Sequence, residues 1–156
     1  MDDIPLSAQF TALAILLLIS AIFSIAETSM MALNRYRLKA LAKLGNRGAI
    51  ITTELLARTD RLLGVILLGN NLVNAAAAVL VSVITVRLFG ENEIALALGT
   101  LVVTFLILVF SEITPKVVGA AYAEKIALPL AFVLKPLLKA LYPVVWFVNL
   151  FVQALL

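Results

Sequence analysis

The sequence predicts an all-α integral membrane fold of three transmembrane helices with cytoplasmic juxtamembrane helices, and three observations carry that prediction. Hydrophobic residues make up 63% of the 156 and charged residues 13%, against about 45–50% apolar in soluble domains, and the mean hydropathy is +1.13. Three stretches hold no charge: Ile4 to Ala26, Leu62 to Val86 and Ile94 to Ser111. Each approaches the ~20 residues that cross ~30 Å of hydrocarbon at ~1.5 Å per residue. The basic residues crowd one connector. Arg35, Arg37, Lys39, Lys43, Arg47, Arg58 and Arg61 precede the second stretch, whereas the turn after it holds Arg87 with Glu91 and Glu93. Such bias places the connector in the cytoplasm. The N-terminus and the 87–93 turn are then outside, and the third span returns the chain to the cytoplasm at Lys116 and Lys125.

The first span, about residues 6–30, follows "MDDIPLSAQF", which carries two aspartates and lacks the basic start of a secretory signal. It reads as a retained anchor. The connector, residues 31–61, alternates basic residues with Leu and Ala, breaks at Gly45 and Gly48, and resumes at Thr52. Two short helices on the cytoplasmic surface fit that pattern. Their basic side chains face lipid headgroups, since ~1 kcal/mol per Lys or Arg near an anionic leaflet explains the pattern. The pI near 9.5 follows from this bias and points to the membrane rather than to nucleic acid.

The second span covers about 62–87 and the third about 94–118. In the last segment, about 121–156, the 17 residues from Ala140 to Leu156 are uncharged, at the lower limit for a crossing. Lys135, Lys139, Tyr142, Trp146, Asn149 and Gln153 nevertheless recur at spacings of four and three, so they line one helical stripe. That stripe favours juxtamembrane helices at the membrane interface over a fourth span, and leaves the C-terminus cytoplasmic.

Polar side chains inside the spans are costly, with an acidic residue at mid-helix costing about 2.5–3.5 kcal/mol on insertion scales. They are therefore expected to face one another or an ion path. Ser20 and Ser24 share a face of the first span with Glu27. Gly69, Asn70, Asn71 and Asn74 interrupt the apolar second span, with Asn70 and Asn74 on one face. Gly69 exposes its backbone, so that its carbonyl reaches a ligand or a neighbouring helix packs closely. In "LVFSEITPKVVG", Pro115 removes the amide that would bond the Ser111 carbonyl beside Glu112, and a kink or unwinding is expected.

Each feature also has a purely structural explanation. The serines can be a packing pair, the asparagines interhelical glue, and Glu112 the partner of Lys116 one turn on. Taken together, hydroxyls, amides, a carboxylate and a freed carbonyl form a hard-oxygen set of the kind favoured by Mg²⁺, Ca²⁺ or Na⁺. The chain has no cysteine and no histidine, so disulfides, thiolate sites, zinc hydrolysis and Ser-His-Asp chemistry drop out. No nucleophile–base pair is visible, and no enzymatic activity is expected.

The motifs "ISAIFSIAETSMMALNRYRLKAL", "LLGNNLVNAAAA" and "VFSEITPKVVGAAYAEKIA", in this order and spacing, resemble the transmembrane domain of the CorC/cyclin-M magnesium transporters over roughly residues 10–150. That resemblance implies a homodimer of three-span protomers in the cell (inner) membrane, an inward-open cavity, one Mg²⁺ per protomer and sodium-linked Mg²⁺ export. It places the metal site on Ser20, Ser24, Gly69 through its carbonyl, Asn70 and Glu112, with Asn74 as a neighbour. Members of the family continue into a cytoplasmic tandem-CBS module that binds nucleotide, whereas this sequence stops at Leu156; the expectation is an excised membrane domain without ATP regulation. The alternative is a non-transporting membrane scaffold or ion-sensing receptor, in which the polar residues only glue helices together.

Overall fold

The computed structural model describes residues 4–156. Every regular element among them is helical: α1 Leu6–Ala32, α2 Arg35–Lys43, α3 Arg47–Leu56, α4 Thr59–Phe89, α5 Glu93–Leu106, a π-helical segment Ile107–Ile113, α6 Thr114–Ala121 and α7 Ala123–Leu155. Four helical stretches are long and apolar enough to cross a membrane by length and composition: α1, α4, Glu93–Ala121 and α7. The first three match the expected spans to within a few residues. The fourth was expected as juxtamembrane helices and instead forms a single helix of 33 residues.

Three prolines lie inside α7, Pro129, Pro136 and Pro143. Their seven-residue spacing puts all three on one face, which is exposed. A proline on the outer face bends a helix instead of ending it. Each still removes the amide that would bond the carbonyl four residues back, here those of Lys125, Phe132 and Lys139.

The chain divides into two compact units. One comprises Gly69–Val117 and the chain through Ser24. Within it the Ser111 hydroxyl donates to the Leu17 carbonyl at 2.9 Å, tying the π-helical segment to α1. Arg87 donates to the Ile4 carbonyl near the other end of α4. Gly99 faces Thr85 so closely that a Cβ there would stand 2.8 Å from Oγ1. Gly90, at φ +72°, lets the chain leave α4, and Asn92 caps α5 by accepting from the amides of Ile94 and Ala95.

The other unit comprises Ile25–Leu68 and Val118–Leu156. Asn34 caps α2, Gly45 at φ +88° ends it, and Asn46 caps α3. The break expected at Gly48 is absent. Capping by Asn46 starts α3 at Arg47, well before Thr52, and Gly48 lies within the helix, where a Cβ would stand 3.1 Å from the Leu128 carbonyl. A missing side chain serves close packing here, not a turn.

Glu54 pairs with Lys135 at 3.2 Å, Arg61 lies 4.7 Å from the Tyr142 ring centre, and Gly64 packs near Val145. These pairs advance together along both strands of the chain, so the α3–α4 segment and α7 run side by side in the same direction. Lipid tails are as apolar as leucine, so burial between spans gains little from water exclusion. Close backbone approach, as at Gly48 and Gly64, holds such a unit together.

Candidate functional site

Ser20, Ser24, Asn70, Asn74 and Glu112 all belong to the first unit, and four of them form one polar cluster. Ser20 sits fully buried on α1. Its Oγ stands 2.8 Å from Asn70 Oδ1 and 2.6 Å from Asn74 Oδ1. The asparagines reach it together because they are one helical turn apart on α4. Their amide nitrogens point the other way, each donating to Glu112 Oε1 at 3.4 Å. The second carboxylate oxygen faces Lys116 Nζ at 3.5 Å.

Two amide oxygens thus crowd around one hydroxyl that has a single proton to give. Whichever amide oxygen receives it, the other is left facing an oxygen without a donor. The carboxylate's contacts are all near the long limit of hydrogen bonding, so it is only loosely engaged.

Ser24 lies one turn beyond Ser20, fully buried, and its hydroxyl has no hydrogen-bond partner among the described residues. That is unusual within this molecule. Thr52, Thr85 and Thr104 each donate to the carbonyl four residues back at 2.7–2.8 Å. An unpaired buried hydroxyl costs about 1–3 kcal/mol. Gly69 lies within α4, which runs unbroken from Thr59 to Phe89. Of the two roles expected for Gly69, close packing is observed: the Phe23 ring lies over it, and a Cβ there would meet ring carbons at 2.5–3.0 Å.

Pro115 does not unwind the third span. The helix widens upstream into the π-helical segment, and Thr114 donates to Val109, five residues back. A π turn absorbs an amide that cannot follow the α pattern. It also carries Ser111 and Glu112 consecutively, with Ser111 buried against α1 and Glu112 half-buried in the cluster. The Ser111 hydroxyl bond and the Phe23 cover were not foreseen from the sequence. The Ser whose own carbonyl the proline frees was visible, but the acceptor of its hydroxyl, a backbone carbonyl of α1, has no sequence signature.

Chemically, the cluster presents neutral oxygens on two helices and one carboxylate on a third, with an orphaned hydroxyl adjacent. Such a set can take a small hard cation.

The comparisons agree with this architecture. Residues 11–156 match the family described as the cyclin M transmembrane N-terminal domain. A UPF0053 protein of Haemophilus influenzae is 47% identical over the whole chain, which spans 37% of that protein. The UPF0053 inner membrane protein YfjD of Escherichia coli is 47% identical over 88% of the chain and 32% of its own length. A chloroplastic DUF21 domain-containing protein of Arabidopsis thaliana is 38% identical over 78% of the chain and 18% of its own length. The chain thus spans about a third or less of the curated relatives named here. Its four long apolar helices and an inner-membrane relative mark it as a multi-pass membrane protein. With the match running through all of its helices, the chain belongs to the cyclin M transmembrane N-terminal domain family.

Proposed function

We propose that the chain transports Mg²⁺ across the membrane through Ser20, Ser24, Asn70, Asn74 and Glu112, with the Gly69 carbonyl as a further ligand. The observation that carries this reading is the crowd of oxygens around Ser20, 2.6 and 2.8 Å apart, with one proton among them. Neighbouring ligands of an octahedral Mg²⁺ at 2.0–2.1 Å stand about 2.9 Å apart, so these oxygens already stand close to the spacing that the ion requires. Sodium-linked export and a homodimer follow from the resemblance of the three motifs to magnesium transporters.

Mg²⁺ sheds water reluctantly, so the neutral oxygens must be positioned before it arrives. Glu112 supplies the charge. It turns from Lys116 and the amide nitrogens toward the ion, and gives up only long contacts in doing so. Lys116 is then a tethered counter-ion that competes with the cargo. Lys116→Gln is expected to raise Mg²⁺ affinity by up to about fivefold, the value of a partly exposed ion pair. Calorimetric titration checks it, and unchanged or weaker binding removes Lys116 from the cycle.

Thermal melting of the purified chain tests the overall reading. Mg²⁺ at ten times its Kd stabilises by about 1.4 kcal/mol, while Na⁺ at the same concentration gives less and Ca²⁺ less than Mg²⁺. A scaffold whose polar residues only glue helices gives no ion-specific shift.

For topology we propose three spans, with the N-terminus outside and α7 on the cytoplasmic side. The proline-freed carbonyls of Lys125, Phe132 and Lys139 share an exposed face, and in hydrocarbon each unpaired carbonyl costs several kcal/mol. That face belongs at headgroups and water. The second reading is a fourth crossing, which the length and composition of α7 permit and which its course beside the start of α4, in the same direction, favours. The chain has no cysteine, so Gln153→Cys supplies a unique label site. Labelling by an impermeant maleimide from the cytoplasmic face alone is expected, and labelling from outside alone establishes the fourth span.

A further inference from the structure

A second site lies in the other unit. A cavity of about 690 Å³ opens between the α3–α4 segment and α7, lined by Glu54, Arg58, Arg61, Lys135, Lys139 and Tyr142. Its volume is that of a small-molecule pocket. Four of those side chains are basic and one is acidic, and the acid is already engaged by Lys135 at 3.2 Å. Arg58 and Lys139 have no carboxylate partner among the described residues. Arg61 is held over the Tyr142 ring at 4.7 Å, which orders the guanidinium without neutralising it.

The position of the pocket narrows what it takes. Arg58 and Arg61 immediately precede the uncharged run that starts at Leu62, and Lys135 and Lys139 immediately precede the one that starts at Ala140. Because the two segments run in the same direction, both change from basic to apolar at the same level. Leu55 and Leu138 add apolar wall beside the basic groups. Cationic heads in a concavity at the start of apolar helices match a ligand with an anionic head and a hydrocarbon tail.

We propose that this pocket binds the phosphate headgroup of an anionic phospholipid, with Arg58, Arg61 and Lys139 as its ligands. Arg61 offers a planar fork to phosphate oxygens, and Lys139 a point charge. This differs from the diffuse attraction expected of the basic connector, because it requires these residues and not the connector's total charge.

The test uses the purified chain in neutral detergent, with phosphatidylglycerol as probe and native mass spectrometry as readout. Phosphatidylglycerol is expected to stay bound while phosphatidylcholine at equal mole fraction is stripped. The Arg61→Gln/Lys139→Gln variant should lose roughly thirtyfold in affinity, and Lys39→Gln/Lys43→Gln, with the same charge removed outside the pocket, should bind as the parent does. Tyr142→Leu serves as an independent variant, which frees Arg61 without changing charge and should weaken retention severalfold. Equal loss in the two charge variants, equal retention of phosphatidylcholine, or displacement of the lipid by equimolar inorganic phosphate or an acidic peptide each overturns the assignment.

Discussion

Glu112→Gln is expected to reduce Mg²⁺ flux in proteoliposomes to background while leaving the folded chain intact. Gln keeps the shape and one acceptor oxygen, so the two amides of Asn70 and Asn74 retain a partner. What disappears is the negative charge, the only one in the cluster. Neutral oxygens can replace water around a divalent ion, but they cannot offset its charge inside hydrocarbon. Losing one member of a buried charge pair costs about 3–5 kcal/mol, which corresponds to about 10²–10⁴ in affinity. Flux is followed with an entrapped Mg²⁺ dye, and folding by gel filtration and helical circular dichroism. Wild-type flux in this variant would remove Glu112, and with it the proposed site, from transport.

Gly119→Leu is expected to be the most destabilising single substitution of a small residue. Gly119 lies on α6, and a Cβ there would stand 3.0 Å from the Ile25 carbonyl and 3.2 Å from the Ser29 amide of α1. Both are backbone atoms in a continuous helix, so they cannot rotate aside as the Phe23 ring over Gly69 can. Overpacking of this kind costs about 1–3 kcal/mol, and a lost close helix contact in the membrane has no hydrophobic gain to replace it. A fall in Tm of about 5–10 °C is expected, with Gly119→Ala intermediate. Melting by circular dichroism in detergent decides it, and a Leu variant that melts with the parent shows that the contact is not rigid.

The helices and the polar cluster were legible in the sequence for the same reason. Hydrocarbon penalises charge and unpaired polarity, so the uncharged runs marked α1, α4 and the Glu93–Ala121 helix, and the exceptions, Ser20, Asn70, Asn74 and Glu112, marked what must meet. Helical spacing then predicted which of them share a face. What escaped were contacts whose second partner is backbone. Ser111 on the Leu17 carbonyl, Gly48 on that of Leu128 and Gly119 on that of Ile25 depend on how helices approach, and every residue offers the same acceptor. Pro115 announced a missing amide, but not that the helix would widen upstream instead of unwinding. In α7 the conflict is between levels: length and composition permit a crossing, whereas the prolines and the polar stripe disfavour it.

The π-helical segment has a further consequence, which concerns chain length. A π turn is equivalent to one residue inserted into an α-helix, and each residue turns the helix by about 100°. Upstream of Ile107 the third apolar helix is keyed to one reading frame, and from Thr114 onward to another. Taking one residue out of Ile107–Ile113 would let the helix close as ordinary α. It would also swing the upstream face, with Val103 in its buried seat, by about 100° relative to Pro115 at the start of α6. In this stretch the number of residues is therefore as much a part of the site as their identity, and a single-residue deletion is not equivalent to any substitution.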